Sequence, residues 1–172
     1  MSDKRSFGAR LYEVAENYNL NQSDVNRIVN EYITECRQDL FDGKEVRILG
    51  LVILVPNPMY SECGATLALY AKKIATKTGC PFHTVRGVVG EYIDILRNEL
   101  YEGRNIDIRG LVSMHPLMRN GEIVKVHSIL STSIKGDLPY KSQYVTSVRA
   151  HTCKLLKHNM FISKLHKKGV SQ

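Results

Sequence analysis

Apolar residues fall at helical spacing twice along this chain, and the second occurrence repeats the first after 60 positions. Val25, Ile28, Val29, Tyr32, Ile33, Cys36 and Leu40 form one stripe; Val85, Val88, Val89, Tyr92, Ile93, Leu96 and Leu100 form the other. Steps of three and four put each set on one face of a long helix, which Gly43 and Gly103 close. A shorter amphipathic helix is predicted ahead of each, over roughly residues 6 to 18 and 66 to 78. Its apolar side holds Phe7, Leu11, Val14 and Ala15, then Leu67, Ala71, Ile74 and Ala75. Asn19 and Gly79 follow, two residue types that accept the left-handed conformation at a helix end. The period then changes to two in Val46, Ile48 and in Ile106, Ile108, the mark of a half-buried strand, and Gly50 and Gly110 signal a tight bend into a second strand.

Twelve identities at this offset run without a gap: Val25, Val29, Glu31, Tyr32, Ile33, Arg37, Leu40, Gly43, Ile48, Gly50, Leu51 and Val52 recur as Val85, Val89, Glu91, Tyr92, Ile93, Arg97, Leu100, Gly103, Ile108, Gly110, Leu111 and Val112. After the bend the halves diverge. Pro56 and Pro58 are expected to stop the strand in the first half, which has no third element. The second half continues to Asn120-Gly121, a two-residue hairpin signal between apolar alternations. A polar connection, STSIKGDLP, is then expected to lead into a basic helix over residues 141 to 158, with Val145, Val148, Cys153, Leu155 and Leu156 as its core side.

About 60 residues with two helices and a hairpin bury little surface alone. The duplication therefore predicts an intramolecular pseudo-dimer with a shared core made of Val25, Val29, Tyr32, Ile33 and Leu40 with Val85, Val89, Tyr92, Ile93 and Leu100. The expected organisation is repeat 1 over residues 1–65, repeat 2 with its hairpin and C-terminal helix over 66–160, and a basic tail over 161–172.

The formal net charge of +7 is unevenly placed. All 17 acidic residues lie at or before Asp137, where they meet 17 basic ones, so the excess belongs to Lys141, Arg149, Lys154, Lys157, Lys164, Lys167 and Lys168. A segment of that kind suits a polyanion, or forms a solvated helix with a loose tail. The apolar runs are too short to span a membrane, and the N-terminal MSDKRSFGAR carries charges where a signal peptide needs apolar residues. Cys36, Cys63, Cys80 and Cys153 lack the pairing of a CxxC motif or a zinc finger, so reduced thiols are expected and no metal or other cofactor. The histidines show no HExxH pattern and no phosphate-cradling glycine loop occurs, which argues against an enzyme.

The order of elements and the wording L-x-x-G-x-x-V-x-I-x-G-L-V resemble the HU/IHF family of bacterial DNA-bending proteins. The residues that carry the likeness are Leu40, Gly43, Val46, Ile48, Gly50 and Leu51, and again Leu100, Gly103, Ile106, Ile108, Gly110 and Leu111. The resemblance implies an α+β fold of two helix-helix-β-hairpin repeats, with the basic C-terminal helix as an addition. The family's Gly-Phe-Gly bend is Gly-Leu-Val in both copies here. In the family, long β-arms wrap the minor groove and a proline at an Arg-Asn-Pro tip wedges between base pairs. The chain has Arg119-Asn120-Gly121 instead, so it carries no wedge, and Arg119 and Lys125 remain as candidate phosphate contacts beside the C-terminal cations. The expectation is a structural protein that contacts duplex DNA without sequence specificity and associates with further copies or other structural proteins. The competing expectation is a pure assembly subunit, such as a ring component in the neck or tail of a tailed phage, without direct DNA contact. Location follows as cytoplasmic, nucleoid-associated or within a virion.

Overall fold

Ser6 starts the first helix by accepting a hydrogen bond from the Ala9 N–H, and Asn19, at φ 49°, closes it, so that α1 spans Phe7–Tyr18. Asn21 caps α2, Gln22–Phe41, in the same way. After Gly43 the chain forms β1, Val46–Ile48, and β2, Val52–Asn57. The series then repeats: α3 is Leu67–Thr78, capped by Thr66 and closed by Gly79 at φ 72°. Next come α4 at Phe82–Tyr101, β3 at Ile106–Ile108 and β4 at Val112–Arg119. Each of these four elements begins 60 residues after its counterpart. The chain is completed by β5, Glu122–Leu130, α5, Thr132–Lys141, and β6, Ser147–Thr152. This computed structural model describes residues 5–61, 64–153 and 156. Among them the fold is α+β, with five helices and two three-stranded antiparallel sheets.

The bend between β1 and β2 is closed by a hydrogen bond from the Leu51 N–H to the Ile48 carbonyl at 2.9 Å, and that between β3 and β4 by Leu111 to Ile108 at 2.8 Å. Gly50 and Gly110 both sit at φ 73°, where an L side chain is strained. At Gly110 a Cβ would also lie 3.2 Å from the Arg37 guanidinium, and at Gly50 it would lie 3.1 Å from that of Arg97. The two arginines are themselves 60 residues apart.

Helices and sheets enclose one hydrophobic core that draws on both halves, and Val25, Val29, Tyr32, Ile33, Leu40, Val85, Val89, Tyr92, Ile93 and Leu100 are all buried in it. The first helix of each half packs on the long helix of the other: Phe7 meets Tyr92 edge-on, and Tyr70 meets Tyr32 edge-on. Glu91 accepts from the Asn17 amide and Glu31 from the Lys77 ammonium, another pair related by 60 positions.

The C-terminal region departs from the expectation. STSIKGDLP is not a connection but most of α5, capped by Ser131 and held to the core by Ile134 and Leu138 at i, i+4. Its glycine, its proline and its single pair of apolar anchors hide the helical period. The helix expected over 141–158 is not present across its first half, because residues 147–152 form β6. SVRAHT alternates, with Val148 buried and Arg149 and His151 exposed, and it hydrogen-bonds to the edge of β2. An open strand edge over a core needs a partner, and β6 supplies it. The first half therefore does have a third strand, added from the far end of the chain. It pairs as β5 does with β4: Pro56 faces Val148 as Pro116 faces Val126, and Val52 faces Thr152 as Val112 faces Leu130. Proline 56 lies within β2 rather than ending it. Leu156 is buried; Lys154, Leu155 and residues 157–172 lie outside the described residues, together with the remainder of the expected helix and the expected tail.

Candidate nucleic-acid interface

The two sheets are ordered β1-β2-β6 and β3-β4-β5, so that β6 and β5 are edges. These edges meet. The Ser128 and Thr152 hydroxyls lie 3.0 Å apart, and the Thr152 hydroxyl donates to the Val126 carbonyl at 3.2 Å. Both sheets turn one face to the common core, which leaves their other faces side by side toward solvent.

Period-two alternation decides what that outer face carries. In β6 the outward residues are Arg149 and His151, since Val148 points inward; in β5 they are Lys125, His127 and Ile129, since Val126 and Leu130 are buried. Arg47 is outward on β1, between buried Val46 and Ile48. Cross-strand rows follow from the register: Arg47 opposite Ile53 and then His151, Val55 opposite Arg149, His115 opposite His127, Leu117 opposite Lys125. Arg47 pairs with Glu45, and Asp107 accepts from the Ser113 hydroxyl. Lys125 and Arg149 have no ion pair among the described residues, and neither has Arg119 at the exposed hairpin end. The hairpin turn is tight, with Arg119 opposite Glu122 and both Asn120 (φ 51°) and Gly121 (φ 75°) left-handed, as a type I′ turn requires.

Of the nine cations singled out in the sequence, the structure thus places Arg149 and Lys125 on neighbouring outer strands and Arg119 at the hairpin tip. Lys141 is separate from them: it ends α5 and lies 3.7 Å from Asp137, which also receives Arg37 at 2.5 Å. Lys154, Lys157, Lys164, Lys167 and Lys168 lie outside the described residues. Arg47, His115 and His127 were missed as members of this face, and His151 was assigned to a helix. The signal for them was the alternation of the strands, readable around Arg47 but masked after residue 141 by the valines and leucines taken for a helical stripe.

Elsewhere the titratable groups are structural. Burial pushes the Cys36 thiol up to about 12, with Tyr32 and Tyr70 as its hydrogen-bonding neighbours, so it stays protonated. Burial likewise raises the Tyr70 and Tyr92 hydroxyls. The described cysteines Cys36, Cys80 and Cys153 are free thiols, and no group of three metal-ligating side chains occurs among the described residues. No described helix is long and apolar enough to cross a membrane.

An outer face with unpaired cations on adjacent strands defines a polyanion-contacting surface in physical terms: it supplies positive charge at intervals and no pocket that would read a base. No protein-family model, curated protein or solved structure matches the chain.

Proposed function

We propose that the chain is a non-catalytic structural protein in which two HU/IHF-like halves form an intramolecular pseudo-dimer, and that it self-assembles and holds the backbone of duplex DNA without reading its sequence. The observation that carries the DNA contact is the junction of β5 and β6, which brings the unpaired Lys125 and Arg149 together on the outer face of the two sheets. The contacts that recur 60 residues apart support the pseudo-dimer, because each half completes the other's interior. A hairpin that ends in Asn120-Gly121 offers no apolar wedge and little reach. The DNA therefore lies against the sheets and is not wrapped by arms.

Phosphate contacts position a protein but carry no base information, so affinity should be alike for unrelated duplexes and fall steeply with salt. With Arg47, Lys125, Arg149 and Arg119 engaged, the log-log salt slope would be about −3 to −4, at roughly −0.9 per phosphate. The test is a mobility shift on a random-sequence duplex at two salt concentrations, comparing the wild type with Lys125→Glu/Arg149→Glu. Weaker, less salt-dependent binding by the variant is expected, and equal retardation of both proteins overturns the contact.

A second reading has a specific observation in its favour. The β4–β5 hairpin exposes Leu117, Met118 and Val124, and Ile129 is exposed on the outer face, apolar surface that suits a protein more than a phosphate backbone. On this reading the chain is an assembly subunit, such as a ring component in a phage neck or tail, without direct DNA contact.

A further inference from the structure

Apart from the sheet face, the exposed apolar side chains gather in two unlike patches. One lies at the C-terminal end of α2. Tyr60 and Tyr144 are 59% and 64% exposed, yet their rings stack edge-on with centroids 5.6 Å apart, and Tyr140 beside them in the chain is 90% exposed. These rings are mounted rigidly. Tyr60 donates its N–H to the Gly43 carbonyl at 2.8 Å and its ring covers Gly43, where a Cβ would collide with it. The Ser142 hydroxyl donates to the Phe41 carbonyl at 2.8 Å and receives the N–H groups of Tyr144 and Val145. Held tyrosines lose little entropy on being covered, which is why they dominate the centres of protein interfaces. The second patch is the distal hairpin, where Leu117, Met118 and Val124 are exposed and Met118 packs over Gly103 at the end of α4.

We infer that the hairpin patch of one molecule docks on the tyrosine patch of a second copy, in a head-to-tail contact. The inference deepens the self-assembling part of the function proposed above and rests on it. Aliphatic side chains and a thioether fit against aromatic faces. Charge is complementary as well. The hairpin carries Arg119 and Lys125 without ion pairs among the described residues, whereas Asp42, next to Gly43 at the tyrosine patch, is exposed and likewise has no ion pair there. A hairpin-to-hairpin contact would set Arg119 and Lys125 against their own copies, and a tyrosine-to-tyrosine contact would do the same with Asp42, so the symmetric arrangements are disfavoured. A contact between two different surfaces leaves one of each free on every dimer, so it propagates into a ring or a filament.

Two full-length variants test this, Tyr140→Asp/Tyr144→Asp and Leu117→Asp/Val124→Asp, all at exposed positions, with Leu117→Ser/Val124→Ser as a milder alternative should the second melt early by circular dichroism. Light scattering should show concentration-dependent growth of the wild type and monomers for each variant alone. An equimolar mixture should stop at twice the monomer mass, because it restores one contact and blocks its continuation. Undiminished growth of either variant alone, or a mixture that stays monomeric, overturns the head-to-tail contact. A wild type that remains monomeric at every concentration overturns it along with self-assembly, while the DNA contact is judged separately by the mobility shift.

Discussion

Arg10 and Glu99 form a buried ion pair across the two halves, with the guanidinium Nη2 2.7 Å from the carboxylate and Nε within 3.2 Å of both its oxygens. Sixty residues on, the same two places are occupied by Tyr70 and Asp39, whose hydroxyl and carboxylate meet at 2.6 Å. One position thus fastens α1 to α4 and its image fastens α3 to α2, by different chemistry. The difference makes the halves non-interchangeable: copies of the first half alone would set Arg10 against Asp39, and copies of the second would set Tyr70 against Glu99.

Loss of either ionic partner should be severe. Glu99 is 2% exposed, and Glu99→Gln or Arg10→Met leaves the other charge buried without compensation, at a cost of about 3–5 kcal/mol. Asp39→Asn should cost less, about 1–3 kcal/mol, because the Tyr70 hydroxyl is neutral. Urea denaturation measures all three. The double variant Arg10→Tyr/Glu99→Asp copies the other pair and should recover part of the loss of Arg10→Tyr; a double variant no more stable than that single one would show that the two places are not equivalent.

Gly110→Ala should destabilise more than Gly121→Ala, although both residues lie near φ +75°. Each substitution meets the left-handed penalty of about 1–2 kcal/mol. At Gly121 a Cβ encounters no atom within 4 Å, whereas at Gly110 it presses on the Arg37 guanidinium, which donates to the Gly110 carbonyl and pairs with Asp137. Arg37 ties α2 of one half to the bend of the other and to α5. A thermal melt of the two variants, with equal midpoints as the contrary result, decides the point.

The first 119 residues were legible in the sequence because each element shows a clean period and a local stop signal. Val25 through Leu40 keep helical spacing for four turns, Asn19 and Gly79 end the short helices, and Asn120-Gly121 makes the turn that its composition demands. Beyond residue 130 the local signals fail. In α5 only Ile134 and Leu138 are buried, and Gly136 and Pro139 read as a loop. For β6 the deciding force is tertiary: the open edge of β2 lies about 90 residues away in the chain, and the alternation of Val148, Arg149, Ala150 and His151 becomes informative only once that edge is known. The candidate interface shared this fate. Its charged residues were visible in composition, but that Arg149 and Lys125 share one face depends on β6 being a strand beside β5.

Stability should fall on acidification through Glu35. Burial alone would raise its carboxyl, but Lys77 and Lys73 outweigh burial and hold it below the ordinary range. A depressed carboxylate adds stability above its unfolded pKa, near ~4.3, and that contribution disappears as pH falls through the lower folded value. Half-exposed Lys73 and Lys77 limit it to about 1 kcal/mol or less. Urea midpoints of wild type and Glu35→Gln should therefore differ at pH 7 and converge below about pH 4. A constant difference across that range would remove Glu35 from the acid response.

The proposed DNA contact makes a sharper claim about individual cations than total charge does. Arg149→Ala and Lys125→Ala each remove an unpaired cation from the outer sheet face, and each should lower the log-log salt slope by about 0.9. Lys141→Ala removes the same formal charge from α5, where Asp137 already faces it, and should leave the slope unchanged. Anisotropy titrations of a labelled duplex over a salt series give all three slopes. If the DNA lay instead along α5, Lys141→Ala would carry the effect and the two sheet variants would bind like the wild type. Equal reductions in all three would mean that net charge governs binding, and the face formed by β5 and β6 would have no special part in it.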